Sequence, residues 1–153
     1  MRGIILVAAA ALTITSATAA LSEEHYWRHE TVQGFEKYYT STADGSHFII
    51  WCNPARGLAG AILDIDIKGH NAPARKTIKI VLDRSAFDVA ADEQGYVKSD
   101  CPACADRSEM LWKKLEGAKN LAVRFSDESY SQFSLRGVRE VLKGSPCAPG
   151  RSS

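Results

Sequence analysis

The chain has 153 residues, 45% of them apolar, with 19 basic and 18 acidic side chains and a formal net charge of +1. That length fits one domain with a real core. The even charge balance and the short, scattered basic runs exclude a charge-driven binder of nucleic acid or of an anionic membrane.

The first stretch, "MRGIILVAAAALTITSATAA", has Arg2 at its start, an apolar run from Ile4 to Ile14 and small residues from Ser16 to Ala20. Ala17-Thr18-Ala19 fits the A-x-A cleavage pattern, so residues 1–19 are expected to be a signal peptide. The apolar run falls short of the ~20 residues a transmembrane helix needs, and no second run is long enough. The mature protein is therefore expected in the periplasm or secreted, without membrane insertion. Its plan is a single disulfide-stabilised domain over residues 20–147 and a flexible tail over 148–153. Cleavage removes Arg2 and leaves 18 basic residues against 18 acidic ones.

In "EEHYWRHE" a helix would place His25 and His29 on one face with Glu30 beside them. There is no H-E-x-x-H order and no third ligand, so a polar N-terminal turn is expected and no metal site. "FEKYYTSTADGSHFIIWC" reads as two strands around an Asp44-Gly45 turn. "GAILDIDIKG" alternates: Leu63, Ile65 and Ile67 face the core, while Asp64, Asp66 and Lys68 face water. Two carboxylates ~7 Å apart on a strand could serve a glycosidase, but an outward charged face is the commoner use. "HNAPAR" is expected to be a loop holding a solvated His70, with His47 solvated in the preceding turn. "KTIKIVLD" repeats the alternation with Ile78, Ile80 and Leu82. Ser85 beyond it lacks a G-x-S-x-G elbow. "AADEQGYVKSD" carries a turn and a short strand at Tyr96 and Val97.

Leu111, Trp112, Leu115 and Ala118 share a stripe, predicting a helix from Ala105 to Ala118, with a Glu109–Lys113 pair on its wet side. "NLAVRFSDESYSQFSL" reads as a hairpin turning at Ser126 to Ser129. "RGVREVLKG" predicts a short helix packing Val138, Val141 and Leu142. The fold class is mainly β (α+β): an antiparallel sheet or small sandwich, one amphipathic helix and a short C-terminal helix.

Four cysteines in an exported chain mean disulfides, with three possible connectivities. Local closure of Cys101 on Cys104 leaves Cys52 to join Cys147, and this is the favoured pattern. "CPAC" at a helix start also meets the local demand of a redox centre, where the helix dipole stabilises a thiolate. Against that, Asp100 beside Cys101 raises a thiol's pKa, and no proline falls between Pro102 and Pro146 to supply the cis-proline of thioredoxin-like folds. Zinc needs two more ligands at matching spacing, which Cys52 and Cys147 do not offer.

The second half has a recognisable order: "IKIVLD", "CPAC", "MLWKKLEGAKNLAVRF", then "FSLRGVREVL". It resembles the invasion-associated locus B (IalB) family of small exported bacterial proteins, and "IIWC" answers that family's early tryptophan and cysteine. The family has a further early cysteine and a wider later pair, so no connectivity carries over. The resemblance implies a periplasmic or surface protein tied to host invasion or colonisation, with no catalytic residues and no cofactor. The expected function is non-enzymatic binding of a protein or envelope component through aromatics such as Tyr26, Trp27, Tyr38 and Tyr39. Inhibition of a hydrolase such as lysozyme is a variant of that reading. A thiol–disulfide protein working through Cys101 and Cys104 is the alternative from another class.

Overall fold

The computed structural model describes residues 25–144 and Cys147. The expected signal peptide, its cleavage site and the tail over 148–153 lie outside the described residues.

Alternation sets the strands. In β3 (His47–Cys52) and β4 (Ile62–Ile67) every second side chain is buried and its neighbours are half-buried. β6 (Thr77–Leu82) buries Ile78, Ile80 and Leu82 in the same rhythm. With β1 (Arg28–Val32), β2 (Phe35–Ser41), β5 (His70–Asn71) and β8 (Val97–Lys98), strands β3 and β4 form a six-stranded sheet ordered β1-β2-β3-β4-β5, with β8 also pairing β4. β7 (Ser85–Ala90), β9 (Leu121–Arg124) and β10 (Tyr130–Phe133) join β6 in a four-stranded sheet ordered β10-β9-β6-β7. All strand pairs are antiparallel.

The two inner faces meet as a small sandwich. Phe48 of β3 lies 5.7 Å, ring centre to ring centre, from both Trp27 and Phe133 of β10. At one edge the sheets are sewn together. Trp27 donates its backbone N–H to the Arg136 carbonyl at 2.8 Å and its indole N–H to the Ser134 carbonyl at 2.8 Å.

Helix α1 (Pro102–Gly117) packs on this core through Leu111, Trp112 and Leu115, and the Trp112 ring meets Tyr38 edge-on at 6.2 Å. The helix starts three residues earlier than Ala105, because Pro102 suits a first turn that needs no N–H. It stops at Gly117, so Ala118 is extended rather than helical. Helix α2 (Val138–Leu142) buries Val138 and Leu142.

Further sequence expectations are corrected. The polar N-terminal turn expected in "EEHYWRHE" gives way, from Arg28 on, to a strand: Arg28–Val32 pairs with β2. The reversal uses Gln33 at φ 51° and Gly34 at φ 84°, the left-handed pair that a two-residue hairpin needs. His47 belongs to β3 rather than to a turn, and His70 begins the two-residue strand β5. The segment after "KTIKIVLD" adds β7, which folds back on β6 through Asp83-Arg84, with Asp83 at φ 52°.

Candidate functional site

Two places hold chemically pointed side chains. The first is the corner before α1. Cys101 and Cys104 are bonded to each other, their Cα atoms 4.9 Å apart. Cys101 is the N-cap of α1, and its Sγ accepts the Cys104 backbone N–H at 3.1 Å. It is exposed, whereas Cys104 is half-buried. A thiolate released at Cys101 would face the helix N-terminus and that N–H, both of which favour negative charge. A groove of about 80 Å³ runs beside Cys104, bounded by Val89, Ala90, Val97 and Arg107. The nearby Lys98 is engaged by Asp92 at 2.9 Å. The other pair, Cys52 and Cys147, is bonded in the core, with both residues fully buried and Cα atoms 5.8 Å apart.

The second place is the outer face of the larger sheet. The core lies on the other side, so the side chains here are only half-buried. β2 contributes Lys37 and Tyr39, β3 His47, Ile49 and Trp51, and β4 Ile62, Asp64 and Asp66. Register sets the rows: Lys37, Trp51 and Ile62; Tyr39, Ile49 and Asp64; Ser41, His47 and Asp66. The Lys37 ammonium sits 4.2 Å from the Tyr39 ring centre and 2.6 Å from the Glu30 carboxylate. The Trp51 indole N–H points at Asp64 Oδ2 over a long 3.5 Å. Asp66 accepts the Gly69 backbone N–H at 3.3 Å.

Both aspartates point outward as the alternation predicts, but they are less exposed than a charged strand face implies. Partial burial pushes the Asp64 carboxyl above the ordinary range. The Trp51 hydrogen bond opposes that rise, and the Asp66 charge adds to it. Asp66 is also pushed up by burial, with His47 pulling the other way.

Of the four aromatics expected to be exposed, two are not. Trp27 and Tyr38 are core residues, 3% and 2% exposed: Tyr38 lies on the inward phase of β2, and Trp27, just before β1, is held inward by its bonds to Arg136 and Ser134. Tyr26 is exposed and lies under the Arg136 guanidinium, 4.3 Å from the ring centre, with the Arg136 side chain donating to its hydroxyl at 2.6 Å. Tyr39 is on the outer face. Trp51, read in the sequence only as the tryptophan of "IIWC", was not expected on the surface, although its phase with His47 and Ile49 puts it on the outer face. Ser85 opens β7, with no histidine bonded to it among the described residues.

A hollow of about 700 Å³ lies against the outer side of the smaller sheet among Val81, Ala122, Tyr130, Gln132 and Arg136. Its one carboxylate, Asp83, is already committed to the backbone N–H groups of Lys119 and Asn120, each at 3.0 Å. Among the described residues, no group of three metal-ligating side chains converges.

Fold and site together define a disulfide-stapled antiparallel sandwich with an aromatic and acidic outer sheet face and a cysteine bridge at a helix start. The chain belongs to the YfjT family, whose model matches residues 25–142, a stretch that includes both sheets, both helices and three of the cysteines. No curated protein and no solved structure matches it.

Proposed function

We propose that this is an exported, non-enzymatic binding domain whose outer sheet face docks a protein or envelope component. The observation that carries the reading is the composition of that face. Trp51, Tyr39, Ile49 and Ile62 form an apolar lattice on three hydrogen-bonded strands, with two carboxylates set into it. Aromatic anchors on a rigid frame, ringed by polar groups, are the usual make-up of an energetic centre in an interface. The leader-like first 19 residues and the resemblance to the invasion-associated locus B family support an exported role. An inhibitor of a foreign hydrolase is one form this role can take. The test is capture from envelope extract by the exported, oxidised protein. Trp51→Ala is expected to lose the captured partner while keeping the thermal midpoint, and retention of that partner by Trp51→Ala refutes the reading.

One observation favours a second reading, thiol–disulfide exchange: Cys101 is the exposed sulfur of its bridge and caps the helix. A structural bridge is expected to have a reduction potential below about −300 mV, and a working centre one near those of the known oxidoreductases. Insulin reduction by wild type, lost in Cys101→Ser, would establish the second reading against the first.

A further inference from the structure

Asp64 and Asp66 stand two residues and ~7 Å apart on one face of β4. Among the described residues neither forms an ion pair with a lysine or arginine. Lys37 acts on Asp64 only at a distance, its direct partner being Glu30, and Lys98 is paired with Asp92. The opposing group is His47, directly across from Asp66. Carboxylates partly withdrawn from water and not directly paired with a lysine or arginine gain more from an incoming cation than fully solvated ones do. Trp51 and Ile49 beside them offer a surface for an aliphatic stem, and the Trp51 ring can receive a cation on its face. The molecule already does this with its own Lys37, whose ammonium lies 4.2 Å from the Tyr39 ring centre and 5.6 Å from the Trp51 ring centre, with Glu30 as its anion.

We propose that the occupant of this face is a basic, extended segment of a protein partner, with arginine or lysine side chains two residues apart meeting Asp64 and Asp66 and laying their stems on Trp51 and Ile49. The spacing matches because a partner strand repeats its side chains on one face at the same ~7 Å. The inference rests on the outer face being the docking surface. It adds the charge and the pitch of what docks.

The test uses protein exported through its own leader, purified oxidised and labelled with ¹⁵N. The probe is the peptide Arg-Thr-Arg-Thr-Arg, blocked at both ends, with a control carrying glutamine for arginine. The Trp51 indole N–H resonance is expected to move with the arginine peptide and less so as salt rises. The glutamine control and the double variant D64N/D66N should weaken the response at least tenfold. A thermal midpoint no lower than that of wild type shows that the variant is folded. No movement at Trp51 up to millimolar peptide, or an equal response in D64N/D66N, overturns the inference. So does movement of Trp51 by a chito-oligosaccharide in place of the peptide. If D64N/D66N still captures the envelope partner that Trp51→Ala loses, the docking face stands and the cationic partner falls.

Discussion

Thr40 is fully buried on the inward side of β2, and its hydroxyl has no hydrogen-bond partner among the described residues. An unmade bond in an apolar setting costs the desolvation of the group, so Thr40→Val is expected to raise stability by about 1 kcal/mol. Urea unfolding checks it: the midpoint rises and the slope stays the same. Asp64 carries a pH signature. Because its folded carboxyl is raised, the stability linked to it is full below the ordinary carboxylate pKa and is lost as pH rises through the raised value. Asp64→Asn should therefore be the more stable protein at pH 7 and match wild type near pH 3, as read by thermal midpoints at the two values. Gly95 sits at φ 90°, and a Cβ there would lie 2.6 Å from the Ala72 carbonyl oxygen. Gly95→Ala must shift backbone and should lower the midpoint clearly. At this scale the sequence told little about the tyrosines. Tyr38 and Tyr39 are adjacent in a strand and must face opposite ways, yet nothing in the pair says which one meets the core. That choice follows from Trp112, 74 positions further on, which packs against Tyr38.

Helix α1 was readable from its stripe of Leu111, Trp112 and Leu115, while its bounds, set by Pro102 and Gly117, were not. Leu115 is completely buried in that stripe, and Leu115→Ala should cost about 3 kcal/mol through lost burial and the cavity left behind. A parallel loss of near-ultraviolet signal from Trp112 would place the damage at the helix–sheet contact. β1 was hidden for a different reason. Its burial runs half-buried, exposed, exposed, exposed, half-buried, so it has no alternation to read, and only pairing with β2 makes it a strand. The Gln33-Gly34 turn was the available signal. The Asp64–Asp66 face was visible as a pattern, because the period of two is strict in β4, but its partial burial was not. That depends on Trp51 and His47 across the sheet, whose register the sequence does not print.

The pairing of β6 with β9 and of β4 with β8 joins segments that are distant in sequence, which places the sheet order beyond local reading. Cysteine arithmetic reached further. The Cys52–Cys147 bond spans 95 positions, and closing so long a loop stabilises by roughly 4–5 kcal/mol in the chain-entropy model. Replacing both partners with serine should lower the thermal midpoint far more than replacing Cys101 and Cys104, whose loop spans three positions.

The same long bond divides the chain unequally under tension. A pull applied between Trp27 and Cys147 runs through the covalent bridge at Cys52, and everything from residue 53 to 146 is bypassed. Only β1 to β3 can peel, about 25 residues, so the molecule lengthens by no more than roughly 85 Å before the pull meets the sulfur–sulfur bond. Stretched between those two points, such a domain would give a short distance and then hold, with α1 and the four-stranded sheet still folded.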